Sequence, residues 1–133
     1  MSGIGKAFEH FGAVPRNVRW SWSARSKDGK TVVLALWSDR FRWKARPLSY
    51  DGNEPSLPEG WMSRPGNRER LENLKWARDK CNGLFRVVIA TAVDINADPR
   101  EIARCDPKDD WIMQITELNE ATGEFQAVMV EGS

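Results

Sequence analysis

The sequence is short of the residues that carry most hydrolytic and metal chemistry. Its 133 residues include one histidine, His10, and two cysteines, Cys81 and Cys105, which are far apart and show no CxxC spacing. A disulfide framework and a zinc signature are therefore not expected, and a reducing, cytoplasmic setting is the plain expectation. No apolar run reaches the 18 or so residues of a membrane span, and Met1–Lys6 lacks the apolar core of a signal segment. No membrane role is expected. A glycine-rich phosphate loop is also missing, since Gly3-Ile4-Gly5 follows no strand.

What remains is a chain of one-domain size, 41% apolar and 29% charged, long enough to bury a core without staples. Two features stand out. There are seven tryptophans, and a net charge of +1 conceals two unlike halves. Residues 1–70 carry 13 Lys/Arg against 7 Asp/Glu, and residues 71–133 carry 7 against 12. Between Arg16 and Arg46 the balance is 9 basic to 2 acidic. Local field rather than net charge steers an anionic partner, so the first half is where one would dock.

Ile4, Ala7, Phe8 and Phe11 recur at helical spacing and predict a short helix stopped by Gly12. From Val18 the pattern alternates, with Trp20, Trp22 and Ala24 on one face and Arg19, Ser21, Ser23 and Arg25 on the other. Asp28-Gly29 then predicts a tight hairpin with positive φ at both residues. That turn sets Trp20 opposite Trp37, Trp22 opposite Ala35 and Ala24 opposite Val33 on the returning run Thr31–Trp37.

Arg40-Phe41-Arg42-Trp43-Lys44-Ala45-Arg46 alternates without a break. As a strand it would turn Phe41, Trp43 and Ala45 inward. Arg40, Arg42, Lys44 and Arg46 would form an outer row, spaced about 6.6 Å apart and matched to phosphates along a nucleic-acid strand. Residues 47–66, with four prolines and three glycines, predict a long surface loop carrying Tyr50 and Trp61.

Asn67–Asn82 predicts the main helix, closed by Gly83. Its buried stripe is Leu71, Leu74, Ala77 and Cys81, with Trp76 on the outer side. Leu84–Ile95 predicts a central strand. Asp98-Pro99-Arg100-Glu101 predicts a short capped helix running to about Arg104. Asp110–Leu118 and Glu124–Val130 predict two last strands around Thr122-Gly123. The expected fold is a single-domain α+β architecture, residues 1–133. It has a curved, mostly antiparallel, barrel-like sheet of about five to six strands, two main helices and one short helix.

The chemical inventory favours binding over catalysis. His10 reads as a surface residue, and both cysteines as inert thiols. The late carboxylates Asp94, Asp98, Glu101, Asp106, Asp109 and Asp110 could hold a metal ion. Asp98 and Glu101 already serve as caps, and Asp109-Asp110 reads as a solvated turn. No catalytic residue, metal or cofactor is assigned. Trp20, Trp22, Trp37 and Trp43 fall on inward faces and are expected in the core, leaving Trp61 and Trp76 as the exposed rings.

The function expected is non-catalytic binding of nucleic acid, DNA or RNA, in single-stranded form or at modified bases. The expected surface is Arg19, Arg25, Arg40, Arg42, Lys44, Arg46, Tyr50, Trp61 and Trp76. In overall plan a small curved sheet with tryptophans resembles the PUA-like readers of modified or flipped bases, a likeness that carries no residue over. The alternative is a protein-interaction module, binding an acidic partner or pairing its unlike halves in a homodimer.

Overall fold

The apolar, β-branched run Leu84–Ala92 forms the strand on which the sheet is built. The computed structural model describes residues 3–14, 22–52, 65–96 and 102–131. Helix α1 spans Gly3–His10, followed by strands β1 (Ala13–Val14), β2 (Ser23–Ser26) and β3 (Val32–Trp37). A 3-10 turn at Ser38–Arg40 leads into β4 (Phe41–Arg42) and β5 (Ser49–Asp51). Helix α2 (Pro65–Lys80) then precedes β6 (Leu84–Ala92), β7 (Ile102–Pro107), β8 (Ile112–Leu118) and β9 (Phe125–Glu131).

These elements make one small α+β domain with a mixed nine-stranded sheet, ordered β1-β2-β3-β6-β8-β9-β5-β4, with β7 also on β6. All pairings are antiparallel except β3 with β6. The sheet is not closed into a barrel, since β1 and β4 end it as separate edges. The larger strand number arises because β1, the β5 piece of the long loop and β7 add three strands that the sequence pattern did not mark.

Along one edge of β6, β8 pairs with Leu84 and Phe85 while β7 pairs with Val88–Ala92. The two strands are one antiparallel partner interrupted at Lys108–Trp111. At this break the Lys108 N–H donates to Val87 O and the Arg86 guanidinium donates to Asp109 O. No helix reaches Arg104: Ile102–Arg104 belong to β7, because pairing five of its residues with the central strand outweighs a local cap. The capping residues 98–101 lie outside the described residues.

Residue parity on β3 decides the layers. Val32, Leu34 and Leu36 join Phe85, Val87 and Ile89 of β6 under α2, where Leu74 and Ala77 are fully buried. Val33 and Ala35 join Val88 on the other face, under Ala7 and Phe8 of α1. His10 Nε2 pairs with Asp109 Oδ1 and fastens the end of α1 beside the β7–β8 break.

Both faces of the hairpin are therefore covered, which explains why Ser23, on the polar side of the alternation, is buried. Its hydroxyl accepts from Asn73 Nδ2 of α2 at 2.8 Å.

The hairpin register is the one the turn dictates, with Ala24 opposite Val33 and Arg25 opposite Val32. The turn itself differs: only Gly29 has positive φ, at 73°, and its N–H donates to Ser26 O. Trp22 and Trp37 lie diagonally across the pair with ring centroids 5.2 Å apart. Trp20 lies outside the described residues.

Candidate binding cleft

Trp37 ends β3, and the chain must then reverse so that β5 can return beside β4. This reversal breaks the alternating segment. Only Phe41 and Arg42 pair, with Tyr50 and Ser49. The Ala45 N–H then donates to Arg42 O, and Pro47, with no N–H to give a ladder, follows in a turn. Four basic residues in one strand row, as the alternation predicted, is therefore corrected. Arg40 Nε donates to Asp51 O. Arg42 donates to Ser49 Oγ and Gln126 Oε1, and both arginines approach Asp51 Oδ2 at 3.8 Å. Arg46 folds back onto the carbonyls of Trp43 and Ala45. Lys44 is exposed and makes no ion pair among the described residues.

Three aromatic expectations change as well. Tyr50 is buried, not displayed on a loop: its ring meets Phe41 and Phe125, and its hydroxyl accepts the Trp37 N–H at 3.2 Å. Trp76 is not an open ring either. It packs against the main core, donates its indole N–H to Gly29 O at 2.7 Å, and carries the Arg25 guanidinium 4.2 Å above its ring. Arg25 is therefore on the α2 side, committed to Trp76. Trp43, expected inward, is 49% exposed. Arg19 and Trp61 lie outside the described residues.

The turn that exposes Trp43 also builds a cleft of about 360 Å³. Trp43, Pro47, Leu48, Trp111, Met129 and Val130 line it, with Leu48 O accepting the Met129 N–H at 2.8 Å. Arg46 and Glu131 supply charge at its lining. Trp111 is nearly buried, fixed by Phe41 at 5.8 Å, and meets Trp43 at 6.1 Å and 59°. The Trp43 indole N–H donates to Ser38 O at 2.9 Å, which holds the ring plane in place while part of the ring stays in solvent. The Lys108 ammonium lies 5.5 Å over Trp111.

Sequence reasoning placed Arg46 at the binding surface but expected Trp43 in the core, and it singled out none of Leu48, Met129 and Lys108. The cleft needs β9 and the β7–β8 break to meet the turn, and no local pattern carries that.

The site has the form of a preorganised aromatic cleft beside cations, suited to binding a flat ring or an apolar side chain. Burial raises the pKa of both thiols, Cys81 with a small opposing effect of Arg25 and Cys105 with a further push from Asp106. Among the described residues no group of three or more His, Cys, Asp or Glu is placed to hold a metal ion. Asp98 and Glu101 are outside them. Among the described residues, no helix is long and apolar enough to cross a membrane. Comparison with family models, with curated proteins and with solved structures found no match to the chain.

Proposed function

We propose that this protein is a non-catalytic nucleic-acid-binding domain that stacks an unpaired base in the Trp43–Trp111 cleft. The observation that carries the reading is the Trp43 ring, half exposed and held by its bond to Ser38 O at the mouth of an apolar cleft. Open, oriented indole faces suit unstacked bases of any sequence, each stack being worth about 1–3 kcal/mol. Arg46 lines the cleft, Lys108 lies over Trp111, and the exposed Lys44 follows Trp43 in the chain; these cations would meet the flanking phosphates. Arg40 and Arg42 serve mainly to hold β4, β5 and β9 together through Asp51 and Gln126.

Fluorescence anisotropy with labelled single- and double-stranded oligonucleotides, at low and physiological salt, tests this. The expected result is single-strand binding that weakens with salt and drops roughly 5- to 100-fold in Trp43→Ala. A folded Trp43→Ala protein that binds as the parent does would overturn the site. If no oligonucleotide binds at low salt, the nucleic-acid reading fails, and the cleft becomes a receptor for a protein side chain.

A further inference from the structure

Strand β7 ends its side of the sheet: among the described residues it pairs with β6 alone, and none of its residues is buried. We propose that this edge pairs with the same edge of a second copy of the chain, as an antiparallel two-fold dimer centred on Cys105. The interface is separate from the Trp43 cleft and does not rest on the nucleic-acid reading.

The ladder with β6 fixes which backbone groups are already spent. The Lys108 N–H donates to Val87 O, and Asp106 and Arg104 stand opposite Ile89 and Thr91 in the same register. In an antiparallel pair, alternate residues bond to a given neighbour. Arg104, Asp106 and Lys108 therefore turn their backbone groups to β6, and Cys105 turns its N–H and C=O outward. Two copies related by a two-fold axis at Cys105 exchange those groups reciprocally. The pairing stays short, because the register shift at Thr91/Ala92 bends one end and Pro107 has no N–H at the other. A short ladder of identical edges closes on itself, giving a dimer rather than a filament.

The side chains make a second copy the occupant. Arg104 and Asp106 lie on one face of β7, with Arg104 Nε 3.0 Å from Asp106 Oδ2, and keep 73% and 44% of their side-chain surface in solvent. Pairing about Cys105 sets Arg104 directly opposite the second copy's Asp106, and Asp106 opposite the second copy's Arg104. These are non-hydrogen-bonded positions, where facing side chains come closest and opposite charges attract. A row of one sign would repel a second copy, which is a common protection of sheet edges. One charge of each sign, two residues apart, is instead its own complement under the two-fold. The Cys105 side chain packs beside the α1 cluster, on the other face, so the thiols take no part in the contact.

Sedimentation equilibrium of the full chain in reducing buffer tests this. The parent should show a monomer–dimer equilibrium at concentrations below about 1 mM. Arg104→Glu sets two carboxylates against each other across the axis, and Asp106→Lys sets two cations against each other. Each variant alone should therefore self-associate at least about tenfold more weakly. An equimolar mixture of the two should recover the dimer, because every facing pair is again of opposite sign. Loss of the Arg104–Asp106 pair within the strand is common to both variants and persists in the mixture, so a purely local role would give no recovery. A parent that stays monomeric up to that concentration, a dimer indifferent to both variants, or a mixture as monomeric as its components overturns the proposal.

Discussion

The indole N–H of Trp76 donates to the carbonyl of Gly29 at 2.7 Å, so α2 holds the tip of a hairpin 47 residues earlier in the chain. Gly29 has φ of 73°, and a Cβ there would stand 2.9 Å from Trp76 Cζ2. A tryptophan on the outer side of the helix is thereby spent on structure. The same contact lets Arg25 of β2 cover the other part of the ring.

Gly29→Ala should destabilise the fold by roughly 1–2 kcal/mol from left-handed backbone strain alone, with the Trp76 clash adding to it. Trp76→Phe, which keeps an aromatic ring but loses the N–H, should cost about 1 kcal/mol. Urea denaturation followed by circular dichroism measures both. A Gly29→Ala protein as stable as the parent would show that the helix does not hold the turn.

Ser23 and Asn73 form a buried side-chain bond between β2 and α2, and both are nearly solvent-free. Asn73→Ala should cost about 1–3 kcal/mol, because it leaves a cavity and a buried hydroxyl without this donor. In a double-mutant cycle, Ser23→Ala should cost much less in the Asn73→Ala background than in the parent. Additive losses would mean that the two residues act separately.

Much of the hairpin and the central strand was legible in the sequence because local chemistry dictates them. Asp28-Gly29 sets the register, Gly12 and Gly83 stop helices with positive φ, and the largely apolar run of β6 marks a strand covered on both faces. The Arg40–Arg46 segment was misleading for a physical reason. Alternation says which residues could share a face, but the return of β5 beside β4 decides how many of them remain strand. Trp43 is exposed and Tyr50 buried because that reversal comes between them. The cleft was hidden in the sequence for the same reason, as Leu48, Trp111 and Met129 come from three separate segments.

The Asp28 carboxyl sits below its ordinary value of 3.8, first through the bond from Ser26 Oγ and then through the Lys30 N–H. A carboxyl lowered in the folded state stabilises the fold in full above its unfolded pKa, and that contribution is lost as pH falls through the folded value. The stability gap between the parent and Asp28→Ala should therefore be constant near neutrality and close below about pH 4. Asp79, lowered by the neighbouring Arg78, titrates alike in both proteins and drops out of the difference. A gap that persists unchanged to pH 2 would refute the carboxylate's role in the turn.

The two thiols carry the last prediction, because they separate a binding domain from a thiol enzyme. Cys81 Sγ approaches the carbonyl oxygens of Gly29 and Lys30 at 3.7 and 3.5 Å, contacts in which a protonated thiol can donate and a thiolate cannot. Burial is the main cause that raises its pKa, and the same holds for Cys105, packed beside the α1 cluster. Alkylation proceeds through the thiolate, so both residues should react several-fold more slowly with iodoacetamide at pH 7.5 than a small free thiol does. Unfolding in urea should restore the ordinary rate. A nucleophilic cysteine needs the opposite environment, a cation or helix N-terminus that lowers the thiol pKa. If either thiol in the folded protein reacts faster than the free one, the protein holds an activated nucleophile, and the non-catalytic reading gives way to covalent chemistry at that residue.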